Sequence, residues 1–276
     1  MRPSSELARA WRGPGRRFPG GRGSGRARWL LVGLAAVVTI VLVVLLTRPS
    51  SGSSRSGPPP TTVPPTTAAA TTTLPSKAVP IPEGIAAPVF SRIRTTDPVV
   101  FLTIDDGLIR DPAVLRFLEK HRIPVTLFLV TDPAAQGRDY FQRIVDLGAT
   151  VQDHTIHHQE MPTLTPYGQN TEICKAADQL TALFGRRPWL FRPPGGKYDP
   201  ETTGEARACG MRAIVLWSGS TNDGRLDLQH PGGLQPGDII LMHFRDDLRE
   251  NLGVVWEAMQ DAGLEPGRLE EYLPPA

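Results

Sequence analysis

Short apolar segments alternate with longer segments of helical spacing through the C-terminal two thirds of the chain. Six of them, the third weaker than the rest, are predicted to be strands: VVFLTI (99–104), VTLFLV (125–130), ATVQ (149–152), WLF (189–191), AIVLW (213–217) and DIILM (238–242). The helical segments lie near 112–121, 139–147, 169–184, 200–208 and 249–262. Strands that are apolar on both faces and separated by helices indicate parallel pairing with helical cover, hence an α/β sheet or barrel.

The first 85 residues follow a different pattern. Residues 29–47 form an uncharged run of 19 residues, nearly long enough to cross a hydrocarbon core of roughly 30 Å. No small-x-small site follows this run, so we predict a transmembrane helix rather than a cleaved signal. Residues 1–28 carry eight Arg and one acidic residue, which places this basic tail in the cytoplasm and the rest of the chain outside the cell membrane. Residues 48–85 are rich in Pro, Thr and Ser and are predicted to be a disordered linker to a domain at 86–276.

Charge and cysteine content limit the function of the outer domain. Residues 81–276 hold 19 Lys and Arg against 27 Asp and Glu, an acidic balance that argues against nucleic acid as a partner. Cys174 and Cys209 both fall in the part predicted to face an oxidising compartment, so we predict a disulfide between them, with two buried free thiols as the alternative. Nothing in the sequence indicates an obligate protein partner.

Polar and titratable groups follow five of the predicted strands. In chain order they are Asp105-Asp106-Gly107, residues 154–158 (HTIHH), Arg192-Pro193-Pro194, residues 218–223 and His243. Reactive groups gather at the carboxyl ends of parallel strands in α/β folds. The sequence therefore predicts one site at that edge of the sheet.

The residue types in this group are typical of a catalytic metal site. Asp105 and Asp106 are adjacent on a strand and point in different directions, so two separate roles are expected. His154 and His158 share one face of a helical turn, although His157 makes a competing i, i+3 pair with His154, and spacing alone leaves the second ligand open. One carboxylate and two imidazoles leave a position for water, as in hydrolytic zinc sites. Non-haem iron oxygenases use a similar set, but the alternation of strands and helices favours a hydrolase.

Taken together, TIDDG, HTIHH, RPPGG, SGSTNDG and LMH resemble the five motifs of the polysaccharide deacetylase family, carbohydrate esterase family 4 or NodB homology domain, in order and approximate spacing. The resemblance covers about residues 97–263. It implies a distorted (β/α) barrel with fewer than eight strands and a divalent metal, usually zinc, at its mouth.

The resemblance also implies roles for the acidic and histidine residues of the first two motifs. Asp105 matches the catalytic base, and Asp106 matches the carboxylate that binds the metal. His154 and His158 match the two histidine ligands, which decides against His157. The predicted metal ligands are therefore one carboxylate and two imidazoles.

The remaining three motifs match less completely. Arg192 matches the arginine that orients the base, and His243 matches the general acid that protonates the leaving amine. Gly195 stands where the family usually has an aromatic residue, which keeps the backbone N–H that holds the oxyanion but removes a groove wall. The fourth motif usually reads D-x-x-D-W, and residues 220–224 (STNDG) keep only its second Asp, Asp223. We expect Asp223 to orient the imidazole of His243.

These implications together predict a membrane-anchored hydrolase that removes N-acetyl groups from an amino-sugar polymer, such as cell-wall peptidoglycan or another N-acetylglucosamine polymer. Attack by a metal-activated water, with Asp105 as base and His243 as acid, would release acetate and a free amine. Two alternatives stay open. One is an O-acetyl esterase acting on xylan, because the family resemblance extends to both bonds, and the other is a wall-binding module whose altered motifs have lost turnover.

Overall fold

The computed structural model describes residues 77–275 of the chain. Ten strands form its sheet: β1 (Val89–Phe90), β2 (Val99–Asp106), β3 (Val125–Leu129), β4 (Thr150–Asp153), β5 (Leu190–Phe191), β6 (Ala213–Val215), β7 (Gly219–Asn222), β8 (Arg225–Leu228), β9 (Ile239–His243) and β10 (Glu265–Pro266). The helices are α1 (Pro112–His121), α2 (Thr131–Gln136), α3 (Arg138–Asp146), α4 (Pro166–Phe184), α5 (Pro200–Ala208), α6 (Leu248–Ala262) and α7 (Leu269–Tyr272). Two 3₁₀ turns lie at Met161–Thr163 and Pro194–Gly196.

The strands make a curled, mostly parallel sheet in the order β1-β6-β5-β4-β3-β2-β9-β7-β8, with β10 paired to β2. Every pairing between named strands is parallel except the β7–β8 hairpin. This architecture agrees with the predicted α/β class and resembles an open half-barrel. The six predicted strands correspond to β2 through β6 and β9. The prediction of fewer than eight strands is wrong, because β1, β10 and the β7–β8 hairpin also belong to the ten-stranded sheet.

Local sequence signals explain where the helices begin. Asp111 caps α1 by accepting a hydrogen bond from the N–H of Ala113 at 2.8 Å, and Pro112 occupies the first turn, as predicted. Asp199 and Thr202 form a capping box at the start of α5. All five predicted helices are present, with ends displaced by at most three residues.

The central strands are buried on both faces, as their composition predicts. Seven of the eight residues of β2 and all five of β3 are buried. Burial of apolar surface stabilises the fold by roughly 25 cal/mol per Å². The buried strands therefore hold the polar residues at the carboxyl edge of the sheet in fixed positions.

A disulfide joins the helices on one side of the sheet. Cys174 of α4 and Cys209, the residue that ends α5, are bonded, with their Cα atoms 4.9 Å apart. This confirms the predicted pairing. The bond lies on the same helix, α4, that contacts the turn carrying His154 and His158, described below.

The predicted basic tail (1–28) and transmembrane helix (29–47) lie outside the described residues, as does the predicted linker up to residue 76. Within residues 77–275, no helix is both long and apolar enough to cross a membrane. Residues 77–85 form no helix or strand, but the N–H of Val79 donates to the carbonyl of Tyr272 at 2.9 Å. Val79 and Ile81 also pack against the domain core, so the last part of the predicted linker contacts the domain.

Candidate active site

The register of the sheet brings the predicted strand-end residues to one edge. Asp105 pairs with His243 across β2 and β9, and Asp106 pairs with Leu129 across β2 and β3. Leu129 in turn pairs with Asp153, the residue before the HTIHH motif. Because these strands are parallel neighbours, their carboxyl ends form a continuous row.

Asp106, His154 and His158 form a compact cluster at this edge. Oδ1 of Asp106 lies 3.6 Å from Nε2 of His154 and 3.4 Å from Nε2 of His158. One ligand atom from each residue lies within 4.8 Å of the others. Oδ1 of Asp106 is buried and has no hydrogen-bond partner among the described residues, as expected for an atom that faces a cation. The donor set and the orphaned oxygen fit a divalent metal.

A backbone contact fixes the orientation of the His154 ring. Its Nδ1 lies 2.7 Å from the carbonyl oxygen of Arg192. A carbonyl oxygen can only accept, so Nδ1 carries the hydrogen in the neutral ring, and the lone pair of Nε2 faces Asp106. Metal-binding histidines are commonly oriented in this way by a group outside the ligand set.

The electrostatics of the cluster favour a positive charge between these side chains. Burial alone lowers the pKa of His154, but the carboxylates of Asp105 and Asp106 outweigh it and raise that pKa above its usual value. Burial alone raises the pKa of Asp106, yet the nearby imidazole of His154, with further contributions from His243 and His158, holds it well below its usual range. Asp106 is therefore an ionised carboxylate at neutral pH.

The two histidine ligands are joined by an irregular turn, not by the helical turn that their spacing suggested. Thr155 and His158 both have left-handed backbone conformations, with φ of +71° and +56°. The N–H of Thr155 donates to Oδ1 of Asp153 at 2.9 Å, and the N–H of His158 donates to Oγ1 of Thr155 at 3.0 Å. The turn places the rings of His154 and His158 with centroids 5.0 Å apart.

His157 points away from the cluster. Its Nδ1 lies 2.6 Å from Oε1 of Glu172 on α4, and its side chain is 61% exposed. The alternative that spacing left open is therefore excluded: His158, not His157, joins His154 and Asp106.

Arg192 holds one oxygen of Asp105. Nη1 of Arg192 donates to Oδ1 of Asp105 at 2.7 Å and to Oγ1 of Thr103 at 2.8 Å. Its Nε and Nη2 donate to the carbonyls of Val215 and Leu216 at 2.9 and 3.0 Å. The other carboxylate oxygen, Oδ2, lies 3.7 Å from Nε2 of His154. Asp105 therefore faces the cluster but is not among its three potential metal ligands.

His243 lies on the opposite side of Asp105 from the β3 strand, at the end of β9. Burial lowers its pKa below the usual value, although the charges of Asp105 and Asp106 oppose this effect. Its Nδ1 is buried and has no hydrogen-bond partner in residues 77–275.

The expectation that Asp223 orients His243 is wrong. Asp223 lies exposed in the turn between β7 and β8 with φ +48°, and its N–H donates to Oδ2 of Asp247 at 2.8 Å. The reason is the hairpin, which the sequence did not predict and which ties Asp223 to the start of α6. No hydrogen bond joins Asp223 to His243 in the described part of the chain.

Gly195 occupies an open position beside the site. Its φ is +62°, and a Cβ built there would meet nothing closer than Cγ of Lys197 at 4.0 Å. The N–H groups of Gly196 and Lys197 donate to the carbonyls of Pro193 and Pro194, which leaves the N–H of Gly195 outside the hydrogen bonds of the turn. A side chain at this position would therefore have open space around its Cβ.

Sequence reasoning missed three polar residues that support the site. Thr103 could have been found, because strand alternation puts it on the same face as Asp105. Asp153 had no such signal; burial raises its pKa to about 8, although the N–H of Thr155 opposes this effect. Glu172 also gave no signal, since it is an ordinary acidic residue on a predicted helix.

Comparisons with known proteins show to which family this chain belongs. Residues 92–214 match the family model described as polysaccharide deacetylase. An uncharacterised protein of Streptomyces coelicolor is 40% identical over 192 residues, covering 67% of this chain and 77% of that protein. The peptidoglycan-N-acetylmuramic acid deacetylase of Bacillus subtilis is 25% identical over 180 residues, covering 61% of this chain and 67% of the relative.

A similar fold occurs among solved structures. A carbohydrate esterase family 4 pseudoenzyme from Bacillus anthracis superposes with a TM-score of 0.58 at 24% identity, covering 67% of this chain and 68% of that one. The chain belongs to the polysaccharide deacetylase family. It is a hydrolase of the polysaccharide deacetylase class.

Proposed function

We propose that this protein is a metal-dependent deacetylase that removes N-acetyl groups from cell-wall peptidoglycan or a related N-acetylglucosamine polymer. One observation carries the proposal: a cluster of three potential metal ligands, Asp106, His154 and His158, lies beside a separate buried carboxylate, Asp105. Hydrolysis of an amide needs both an activated water and a base, and this arrangement provides a place for each.

Asp106, His154 and His158 would hold the cation, for which zinc is our first candidate. When bound, it supplies an activated water and polarises the acetamide carbonyl. Asp105 accepts the proton of the attacking water on Oδ2, because Oδ1 is held by Arg192. The buried guanidinium also keeps the carboxylate in one orientation.

Two further groups act on the acetamide itself. The N–H of Gly195 is available to donate to the oxygen on which negative charge develops. His243 protonates the leaving nitrogen, and the products are acetate and a free amino sugar. The unpaired Nδ1 of His243 means that this acid works without the carboxylate partner we expected from Asp223.

The open position at Gly195 supports a polymer substrate with bulky sugar substituents, since a Cβ built there would meet nothing closer than Cγ of Lys197 at 4.0 Å. The Bacillus subtilis relative is named for N-acetylmuramic acid, the peptidoglycan sugar that carries such a substituent. An O-acetyl esterase of xylan is the alternative, because the same groups serve an ester. Because Asp105 and all three potential metal ligands are present, we favour a catalytic role over a wall-binding role.

The test is acetate release by the full-length protein in detergent, with and without added zinc. Peptidoglycan, chitin oligomers and acetylxylan are compared, with the Asp105→Asn variant as the inactive control. We expect zinc-dependent release from peptidoglycan or chitin oligomers. Release from acetylxylan alone would favour the esterase, and binding to walls without any release would favour the binding module.

The location of the protein is a separate part of the proposal. The Arg-rich residues 1–28 followed by the uncharged run 29–47 support a single-pass anchor with a cytoplasmic N-terminus and an external catalytic domain. Membrane fractionation and protease treatment of intact spheroplasts test it. A secreted form that begins beyond residue 47 would contradict the anchor.

A further inference from the structure

The turn that carries His158 is held in a conformation that its own residues disfavour. Thr155 and His158 are not glycines, yet both lie in the left-handed region. A residue with a Cβ is sterically disfavoured in this region. A turn of this kind persists only when its surroundings fix it, so the contacts around residues 155–158 determine where the His158 ring points.

The carboxylate of Glu172 makes three of those contacts. It extends from α4, and the residue is 6% exposed. Its Oε2 accepts hydrogen bonds from the N–H of Ile156 at 3.1 Å and of His157 at 2.9 Å, while Oε1 lies 2.6 Å from Nδ1 of His157. Both peptide N–H groups between the two left-handed residues are therefore bound to one side chain.

These contacts decide which histidine reaches the metal cluster. Glu172 draws the His157 ring outward, and the backbone then presents His158 to Asp106, with 3.4 Å between Nε2 and Oδ1. If the turn relaxed, the His158 ring would lose this fixed position. Glu172 thus acts on the cluster through the backbone, without touching any of the three ligand side chains.

The position of α4 does not depend on Glu172. Nδ2 of Asn170 donates to Oε2 of Glu205 on α5 at 2.7 Å, and Cys174 is bonded to Cys209. The helix is therefore anchored on both sides of Glu172. Removing the Glu172 carboxylate should release the turn and leave the helix in place.

We propose that Glu172 is a positioning residue for the metal site, whose carboxylate fixes the 155–158 turn so that His158 faces Asp106 and His154. This inference rests on the proposed metal-dependent function. Groups that orient metal ligands from outside the ligand set commonly contribute about 10- to 100-fold to metal affinity. Glu172 should contribute in the same range.

The experiment is a zinc titration against a competing chelator on the full-length protein and four variants. Glu172→Ala should raise the zinc Kd by about 10- to 100-fold. Glu172→Gln keeps an oxygen that can accept from both backbone N–H groups, so it should recover most of the affinity. His157→Ala removes only the ring contact and should bind zinc within about twofold of the wild type, well below the roughly 10- to 100-fold weakening expected for loss of the carboxylate.

Glu205→Ala is the matched control. It removes a carboxylate that anchors the same helix, so it should lower the unfolding midpoint of the zinc-free protein and leave the zinc Kd unchanged. A Glu172→Ala variant that binds zinc like the wild type would overturn the proposal. Equal weakening by Glu205→Ala would also overturn it, because the effect would then be general to the helix.

A measurement on the wild type covers the case in which Glu172→Ala does not fold. Amide hydrogen exchange in the zinc-free protein should show the Ile156 and His157 N–H groups protected, and exchange at the rate of solvent-exposed amides would overturn the proposal. Failure of the proposed function and failure of the Glu172 proposal give different results. A wild type that binds no zinc contradicts the proposed function, whereas the Glu172 proposal fails on the comparison of variants or on this exchange measurement.

Discussion

The guanidinium of Arg192 is completely buried and donates from Nη1 to Oδ1 of Asp105 across 2.7 Å. A buried charge is tolerated only when hydrogen-bond partners satisfy it. Arg192 also donates to Oγ1 of Thr103 and to the carbonyls of Val215 and Leu216. One oxygen of Asp105 is thereby fixed, and the other faces His154 in the cluster of potential metal ligands. This contact separates the two adjacent aspartates into different environments.

That separation predicts different losses when each aspartate is replaced by asparagine. Asp106→Asn should bind zinc more weakly, because a neutral amide replaces a carboxylate ligand, and excess zinc should restore part of its activity. Asp105→Asn should keep its zinc and lose about 10²- to 10⁴-fold in turnover, the usual contribution of a positioned general base. Zinc content after dialysis and acetate release check both variants.

His158→Ala and His157→Ala provide the matched pair for this experiment. His158→Ala should behave like Asp106→Asn, and His157→Ala like the wild type, since only His158 lies in the cluster. An Asp105→Asn protein that loses its zinc would show that Asp105 is itself a ligand.

Thr103 is predicted to support the Arg192–Asp105 contact. Its Oγ1 accepts from Arg192 and donates to the carbonyl of Ile240 on β9 at 2.8 Å. Thr103→Val has nearly the same shape but leaves a buried guanidinium hydrogen without an acceptor. We expect a loss of about 1.5–3 kcal/mol in the free energy of unfolding. Turnover should fall by up to about 10²-fold through misplacement of Asp105, without a change in zinc affinity.

Thr103→Ser is the control, because it keeps the hydroxyl and removes only a methyl group. Chemical denaturation, zinc titration and steady-state kinetics of the two variants decide the role. If Thr103→Ser loses as much turnover as Thr103→Val, packing of the methyl group rather than the hydroxyl is responsible.

The parts of the fold that the sequence predicted are those set by local signals. Asp111-Pro112 marked the start of α1, and the apolar run ending in Asp105 marked β2. Because the carboxyl ends of parallel strands lie at one edge of the sheet, Asp105, Asp106 and His154 were predicted to lie together there. Spacing alone did not separate His157 from His158.

The predictions that failed concern residues whose positions depend on contacts distant in sequence. Asp223 was expected beside His243, but the residues that precede it form a hairpin strand, and the turn of this hairpin is held by Asp247, the residue before α6. Glu172 decides between the two histidines from 14 residues beyond His158, and no pattern in the chain links them. Tertiary hydrogen bonds fix the positions of these residues, and neither secondary-structure propensity nor hydrophobic periodicity predicts such bonds.

The disulfide is predicted to stabilise the domain without contributing to the chemistry. The loop it closes has a sequence separation of 35 residues, for which chain-entropy reasoning gives about 3–4 kcal/mol. The Cys174→Ser, Cys209→Ser double variant should therefore unfold at lower denaturant concentration. Its zinc Kd should stay unchanged, because Glu172 is held by its own contacts with the turn. If the double variant binds zinc more weakly than the wild type, the disulfide is instead needed to hold α4 in position.

Glu270 is predicted to make the stability of the domain depend on pH. Its Oε1 accepts hydrogen bonds from Oγ1 of Thr126 on β3 and of Thr150 on β4. Burial raises the pKa of Glu270 above its usual value, and the two threonine hydrogen bonds oppose this effect without cancelling it. The folded protein therefore holds the Glu270 proton to higher pH than the unfolded chain does.

The sign of the effect follows from proton release on unfolding. Between the unfolded pKa, about 4.3, and the raised folded pKa, unfolding releases the Glu270 proton, so the contribution of this residue to the free energy of unfolding falls as pH rises. Above the folded pKa the contribution is constant. Glu270→Gln keeps an acceptor for both threonines and cannot ionise. Denaturant titrations from about pH 4.5 to 8 should therefore show the stability of the Glu270→Gln variant increasing relative to the wild type as pH rises. Because the histidine and aspartate cluster is identical in the two proteins, its titration cancels in the difference. A difference that does not change with pH would mean that Glu270 ionises alike in the folded and unfolded states.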